Sequence, residues 1–400
     1  MNYEWPLVQS NWTVEANVLS EFVLSGKQLT MGENVKAFEN RFAKMHNKKH
    51  AVMVNSGSSA NLIAVSALVE SGRLSRGSYV LVPALGWSTT YFPLIQCQLD
   101  PVLIDIDPDT LNIDPAQAEN YIQFCIKNRR PLPKAIMVVN VLGNPCNFKA
   151  IEELCLKYNL LLIEDNCESF GAKYAGKYAG TFGLVGTFSF HFSHHLQTIE
   201  GGMIVTDDDT IADYMKALRN HGWTRDLEKN NVFGQKTEDD FYNKFDFVSL
   251  GYNVRPMEMQ GVLGNVQLDK IDKVLENYKN NGIVFEDLFD SEEMLDRGIN
   301  IQRTTFDAES SYFGFVIIAD GVKVTRDQLL NHMGKLGIET RPVIAGNFAR
   351  QPISRKYAMV SGSALRFANI IHDNAFFIGN NPFDYSSRIK DLYTHLVYCN

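Results

Sequence analysis

Residues 186–202, GTFSFHFSHHLQTIEGG, decide how the chain is read. Residues 187–192 read as a strand, and 203–206, just past Glu200-Gly201-Gly202, read as another. Between them stand His191, His194 and His195, and no lysine lies between Lys177 and Lys216. On a helix, histidines spaced three and four apart would share one face as metal ligands. A strand does not offer that face, and no carboxylate of familiar ligand spacing accompanies them, so no metal is expected. His191, and in part His195, read as structural side chains. His194 reads as a proton-transfer residue, because an imidazole accepts and returns protons near neutral pH.

The same strand pattern extends upstream. Residues 50–55, 79–83, 101–105, 135–141 and 160–165 are short apolar runs, which makes seven candidate strands with 187–192 and 203–206. Amphipathic helical stretches at 59–70, 89–96, 115–126 and 149–158 separate several of them. Branched apolar runs divided by helices argue for an α/β fold with a mostly parallel sheet covered on both faces. Downstream, residues 227–247 are charged, Asn-rich and aperiodic, and read as a long surface loop. A long helix over 257–289 is expected to bend or break at Asn280-Asn281-Gly282. The last third, with strands at 311–318 and 339–344 and helices at 326–336 and 388–397, reads as a smaller α/β domain.

Four hundred residues at 45% hydrophobic content can bury a sizeable core. The formal charge of -8 argues against nucleic acid or an anionic membrane as the main partner. Cys97, Cys125, Cys146, Cys155, Cys167 and Cys399 include no Cys-x-x-Cys pair, which suits a reduced compartment. The opening residues lack a basic start and an apolar run, and no stretch approaches a membrane span. A cytoplasmic protein is expected.

Three further segments follow strands and carry candidate chemistry. Asn55-Ser56-Gly57-Ser58-Ser59-Ala60 opens a helix, where backbone amides and the helix N-terminus favour a phosphate. It also fits an ordinary helix cap. Trp87 could stack on a planar heteroaromatic ring, worth about 1 kcal/mol beyond burial, or anchor a core. Asp165 closes an apolar strand, where a carboxylate can pair with a protonated ring nitrogen. In a parallel sheet these strand ends converge on one crevice with His194. Phosphate cradle, stacking aromatic, ring-nitrogen acid and proton-transfer residue are the parts that a pyridoxal 5′-phosphate (PLP) site needs.

The chain resembles the sugar aminotransferase-like family of fold type I PLP enzymes over most of its length. The resemblance runs through 55–60, Trp87, 165–169, 189–202, His221-Gly222-Trp223-Thr224-Arg225, 251–258 and Glu339-Thr340-Arg341-Pro342. It implies an aspartate aminotransferase-like fold. An N-terminal segment (1–34) would precede a large PLP-binding domain (35–265) with a seven-stranded sheet, and a small C-terminal domain (266–400) would follow. By resemblance, Gly57, Ser58 and Ser189 would bind the cofactor phosphate, Trp87 would stack on the ring, Asp165 would face its nitrogen and Glu168 its hydroxyl. Asn253 would reach the phosphate of a neighbouring subunit, so a homodimer with sites at its interface is expected. Arg225, Arg255 and Arg341 would meet the donor carboxylate or a nucleotide diphosphate.

Within the family, the frame Ser189-Phe190-x-x-x-His194 matches 3-dehydratases, in which histidine replaces the lysine that holds the cofactor as an imine. One branch of these enzymes carries a cysteine-ligated iron–sulfur cluster, which needs several thiolates. Only Cys399 follows Arg225, so no cluster is expected. The implied activity is removal of the C3 hydroxyl from GDP-4-keto-6-deoxy-D-mannose, with loss of ammonia, in dideoxysugar (colitose, O-antigen) biosynthesis. Pyridoxamine 5′-phosphate (PMP) would be regenerated from L-glutamate. An aminotransferase would need lysine at position 194; a catalytically idle cofactor binder, or the same dehydration of another nucleotide sugar, stays open.

Overall fold

In the computed structural model, which describes residues 3–9, 12–228, 230–235, 241–357 and 359–398, the apolar runs form the centre of the molecule. They are β1 (His50–Val54), β2 (Tyr79–Pro83), β3 (Asp100–Ile104), β4 (Ala135–Val139), β5 (Leu161–Asp165), β6 (Val185–Ser189) and β7 (Gly202–Thr206). The C-terminal part supplies β8 (Ile299–Ile301), β9 (Gly314–Ala319), β10 (Thr340–Arg341), β11 (Val360–Ser361) and β12 (Ala375–Gly379). The large sheet runs β1-β7-β6-β5-β4-β2-β3-β11, and the small one β8-β9-β12-β10. Only β7 breaks the parallel run of the large sheet, pairing antiparallel with both β1 and β6. The expected mostly parallel sheet is therefore present with an eighth strand, two residues of β11 beside β3. A dipeptide strand has no periodicity to read.

The helices that matter here are α1 (Thr13–Leu24), α2 (Glu33–Met45), α3 (Gly57–Glu70), α4 (Ser88–Gln96), α5 (Pro115–Lys127), α6 (Phe148–Tyr158), α7 (Asp209–Leu218) and α8 (Glu258–Phe289). Alternate residues of β4 show how the sheet is covered. Met137 and Val139 pack into a core with α3, α4 and α7, while Ile136 and Val138 pack with α5 and α6. Almost every turn of α3 is apolar and buried, because sheet and neighbouring helices enclose it. At the β1–β7 edge, Phe38, Phe42, Phe170, Phe188 and Phe190 form a further core under α2 and α8.

Several elements depart from the sequence reading for identifiable reasons. The strand expected at 187–192 ends at Ser189, since its partner β7 begins only at Gly202. Residues 191–194 turn instead, with the His194 N–H donating to the His191 carbonyl at 2.9 Å. The strand expected from 311 starts at Gly314, because the Ser311 and Phe313 amides bond to Gly143 and Leu142. The strand expected over 339–344 shrinks to Thr340–Arg341 before Pro342, which has no N–H to give. The loop at 227–247 holds a short hairpin, Asn230–Asn231 with Gly234–Gln235, and a 3-10 turn at Tyr242–Phe245. Part of it, Lys229 and 236–240, lies outside the described residues.

The expected break at Asn280-Asn281-Gly282 is absent, and α8 runs unbroken for 32 residues. Those residues serve packing. The Asn281 amide is buried and donates to Asn380 Oδ1 and to the Asn381 and Phe383 carbonyls, while its Oδ1 accepts from the Tyr385 N–H. Gly282 lets the Tyr312 ring lie against the helix; a Cβ there would come within 2.1 Å of it. At the other end, the Glu258 carboxylate caps α2 by accepting from the Gly32 (2.7 Å), Asn34 and Val35 (3.2 Å) amides. Gly282→Ala is expected to lower stability by about 1–3 kcal/mol through overpacking. Exposed Asn280→Ala is expected to be neutral or slightly stabilising. Thermal melts of the two variants check this; equal losses would restore the reading of a helix break.

Candidate active site

The carboxyl ends of β2, β4, β5 and β6 open into a cleft of about 370 Å³. Its floor begins where β1 passes into α3. Ser56 caps the helix, its Oγ accepting from the Ser59 N–H at 3.1 Å. That leaves the Gly57 and Ser58 amides at the helix start facing the cleft. Gly57 is there for close approach, since a Cβ would stand 2.4 Å from Ser189 Cβ. Gly202 has a similar cause, because a Cβ would meet the Ser56 carbonyl oxygen at 2.3 Å. Two missing side chains thus bring α3, β6 and β7 together around one small cradle. Trp87, 56% exposed at the start of α4, lines the cleft rather than the core.

Asp165 is buried at the end of β5 and held by three donors. Asn61 Nδ2 and Thr90 Oγ1 each donate to Oδ2 at 2.8 Å, and the Cys167 N–H donates to Oδ1 at 3.2 Å. Thr187 Oγ1 donates to Asn61 Oδ1 at 2.6 Å and so fixes the amide that meets the carboxylate. Asn61, Thr90 and Thr187 were missed in the sequence. The available signal was an asparagine inside a helix of otherwise small and apolar residues. Glu168, half-buried, accepts from the Leu142 N–H at 3.1 Å. Burial pushes its carboxyl up to about 7 against that hydrogen bond, and Asp165 adds to the rise.

The histidines occupy three environments. His194 lines the cleft, its ring 5.2 Å from that of Phe313. Burial of most of the ring, then His191 and His195 nearby, push its pKa down to about 3, so it rests neutral. His191 Nδ1 lies 2.8 Å from Ser193 Oγ, and its Nε2 lies 3.8 Å from Glu200. His195 is buried, with Nε2 2.9 Å from the Ser311 carbonyl, and burial pushes it down to about 4. Among the described residues, no three His, Cys, Asp or Glu side chains gather as a metal site.

Gly57, Ser58, Trp87, Asp165, Glu168, Ser189, His194 and Arg341 thus share one cleft. Asn253, Arg225 and Arg255 do not line it within this chain. The Arg225 guanidinium lies over the Trp223 ring, 5.1 Å from its centre, beside a separate cavity near α2 and α7. Arg255 Nε donates to Asn253 Oδ1 at 3.2 Å, on a loop tied to Asn220. Within this chain, then, Arg341 alone of the three arginines lines the cleft.

Protonation of the buried groups is linked to folding. His46, with a folded pKa of about 4 inside the phenylalanine core, joins His194 and His195. Unfolded, all three bind protons below about 6.5. Their contribution to stability is complete above that value and is lost as pH falls through the folded values. Glu164 and Glu168 run the other way, with folded pKa values of about 7 against 4.5. Their contribution is complete below 4.5 and gone above about 7. Three imidazoles against two carboxyls leave a net loss of stability as pH falls from 6.5 to 4.5. His195→Gln is expected to flatten that fall, read from thermal melts at both values. An unchanged slope would mean His195 titrates normally.

Comparison with known proteins agrees with this geometry. A GDP-4-keto-6-deoxy-D-mannose 3-dehydratase from Yersinia pseudotuberculosis is 41% identical over 397 residues, covering 98% of each chain. The solved E. coli GDP-4-keto-6-deoxy-D-mannose-3-dehydratase with bound hydrated PLP superposes with a TM-score of 0.92 at 40% identity, covering 99% of this chain and all of the other. A GDP-4-keto-6-deoxymannose-3-dehydratase structure with a trapped PLP-glutamate geminal diamine gives 0.91 at 40% identity, covering 98% and 100%. The model of the DegT/DnrJ/EryC1/StrS aminotransferase family matches residues 13–382, and the chain belongs to that family.

Proposed function

We propose that this chain removes the C3 hydroxyl from GDP-4-keto-6-deoxy-D-mannose, with PLP and PMP as cofactor forms and L-glutamate as amino donor. The products would be GDP-4-keto-3,6-dideoxy-D-mannose, ammonia and 2-oxoglutarate. The observation that carries this reading is His194, standing in one cleft with Asp165 and Trp87 where aminotransferases of this fold need a lysine. The near full-length relatives of that name support the choice of substrate.

The cleft fits the cofactor. Gly57 and Ser58 open α3 on the cleft, Ser189 lines it beside them where a phosphate would meet the helix start, and the buried Asp165 lines the same space. When bound, the cofactor supplies an amine nitrogen and an electron sink. The chain's residues do the rest. The Gly57 and Ser58 amides and the Ser189 hydroxyl hold the phosphate, Trp87 covers the ring, and Asp165 keeps the ring nitrogen protonated. Glu168 meets the ring hydroxyl. Neutral His194 accepts a proton from the carbon beside the amine and returns it to the departing C3 oxygen, which leaves as water. A free lysine amine near 10.4 would rest protonated and serve poorly as that base. Histidine also cannot tether the cofactor, so affinity rests on phosphate contacts and stacking.

Arg341, exposed at the cleft lip, would pair with the glutamate carboxylate or the diphosphate. Asn253, exposed on its loop, would serve a second copy, which makes a homodimer part of the reading. The reaction belongs in the cytoplasm, with no nucleic acid or membrane partner. Among the described residues, no helix is long and apolar enough to cross a membrane.

With glutamate, substrate and cofactor, the expected outcome is ammonia release and a C3-deoxygenated 4-keto product by mass spectrometry. A product retaining nitrogen at C4 would replace dehydration with amination. His194→Asn should cost at least about 100-fold in turnover. Gly57→Ala should weaken PLP binding about tenfold or more, read by absorbance titration, and by pushing α3 from β6 should also lower the melting temperature, read by circular dichroism. Unchanged affinity would move the phosphate elsewhere.

A further inference from the structure

His194 stands in a wall between two spaces. The cleft lies in front. Behind it is a smaller compartment of about 40 Å³, also lined by Ser193 and His194 and closed by His195, Gln197, Gln267 and Tyr278. One water needs about 10–15 Å³ on the same measure, so about two to four fit. Two buried acceptors of the compartment's lining lack a protein donor. His195 uses Nε2–H for the Ser311 carbonyl, which leaves Nδ1 a bare lone pair, and Nδ1 has no partner. Gln197 Oε1, on a side chain 8% exposed, has none either. A buried acceptor without a donor costs about 1–3 kcal/mol. Both needs are met by a small neutral molecule that donates twice. Lys270, paired with the buried Glu15 and partly exposed, also lines the compartment, so the lining reaches solvent at this side chain.

We propose that this rear compartment is a water site through which the proton captured by His194 exchanges with solvent. The inference rests on His194 being the base. A proton arrives at Nε2 from the cleft. Nδ1–H then gives its proton to Ser193 Oγ, 3.4 Å away, while the Ser193 hydroxyl, whose oxygen also lies 2.8 Å from His191 Nδ1, turns to pass its own to a compartment water. The imidazole returns to neutrality as its other tautomer, and the same relay run backwards reprotonates it from solvent before it delivers a proton to carbon or to the C3 oxygen. Gln197 and His195 are positioning residues that hold the water. Hydrogen taken from substrate is thus exchanged, so the proton that His194 later delivers comes from solvent.

The test follows the α-deuterium of [2-²H]glutamate in the PLP-loaded enzyme. In the native enzyme most of the label should appear in solvent and little on the PMP methylene. Gln197→Leu, which removes an acceptor and dries the compartment, should raise label retention about fivefold while turnover stays within about twofold. Equal retention in a folded Gln197→Leu protein overturns the proposal. A high-resolution crystal structure of the native protein provides a second readout: ordered water donating to His195 Nδ1 and Gln197 Oε1 supports the site, and a side chain filling the space overturns it. His194→Asn separates the two readings. Loss of all α-hydrogen exchange keeps His194 as the base, whereas continued exchange removes the proposed function itself.

Discussion

A single buried carboxylate organises the centre of this molecule. Asp165 ends β5 with almost no contact with water, and a charge so placed demands donors on every side. Asn61 brings α3 to it, Thr90 brings α4, and Thr187 locks Asn61 from β6. Moving any one of these elements would strand a buried charge, so the cleft's shape and the acid's orientation are set together. The same demand explains the two close-packed glycines. Only by removing Cβ at Gly57 and Gly202 can α3 and β7 come near enough to β6 for this network to close.

The electrostatic character of the cleft follows from dryness rather than from ion pairs. His194 and His195 are neutral because burial disfavours their cations, and Glu168 is pushed toward its protonated form by the same cause. A neutral imidazole that becomes a strong acid once protonated suits a group that must take a proton and then surrender it. An amine in this position would be harder to discharge. The exchange of lysine for histidine therefore changes both attachment and acidity.

Much of this was legible in the chain. The β4 and β5 runs announced buried parallel strands, and Asp165, Trp87 and the Ser-Gly-Ser turn each followed a strand closely enough to converge. What escaped reading was tertiary. Asn61 looks like any helical asparagine until Asp165 stands opposite. Asn281-Gly282 has turn chemistry, yet partners at residues 380–385 and the Tyr312 ring keep it helical. The two residues of β11 are too few to carry a period. Arg225 and Arg255 sit in motif-bearing loops that lie outside the cleft of the single chain, with Arg225 over the Trp223 ring.

The uninterrupted α8 has a mechanical consequence. Thirty-two residues rise about 48 Å, long enough to reach both sheets' layers. Its first turn clasps α2 through Glu258, and its later turns are stitched by Asn281 to the segment leading into the final helix. It works as a keel: the planks on either side are fastened to one beam. Peeling the C-terminal layer away while the cleft survives would require snapping that beam, so both layers should come apart in one cooperative event.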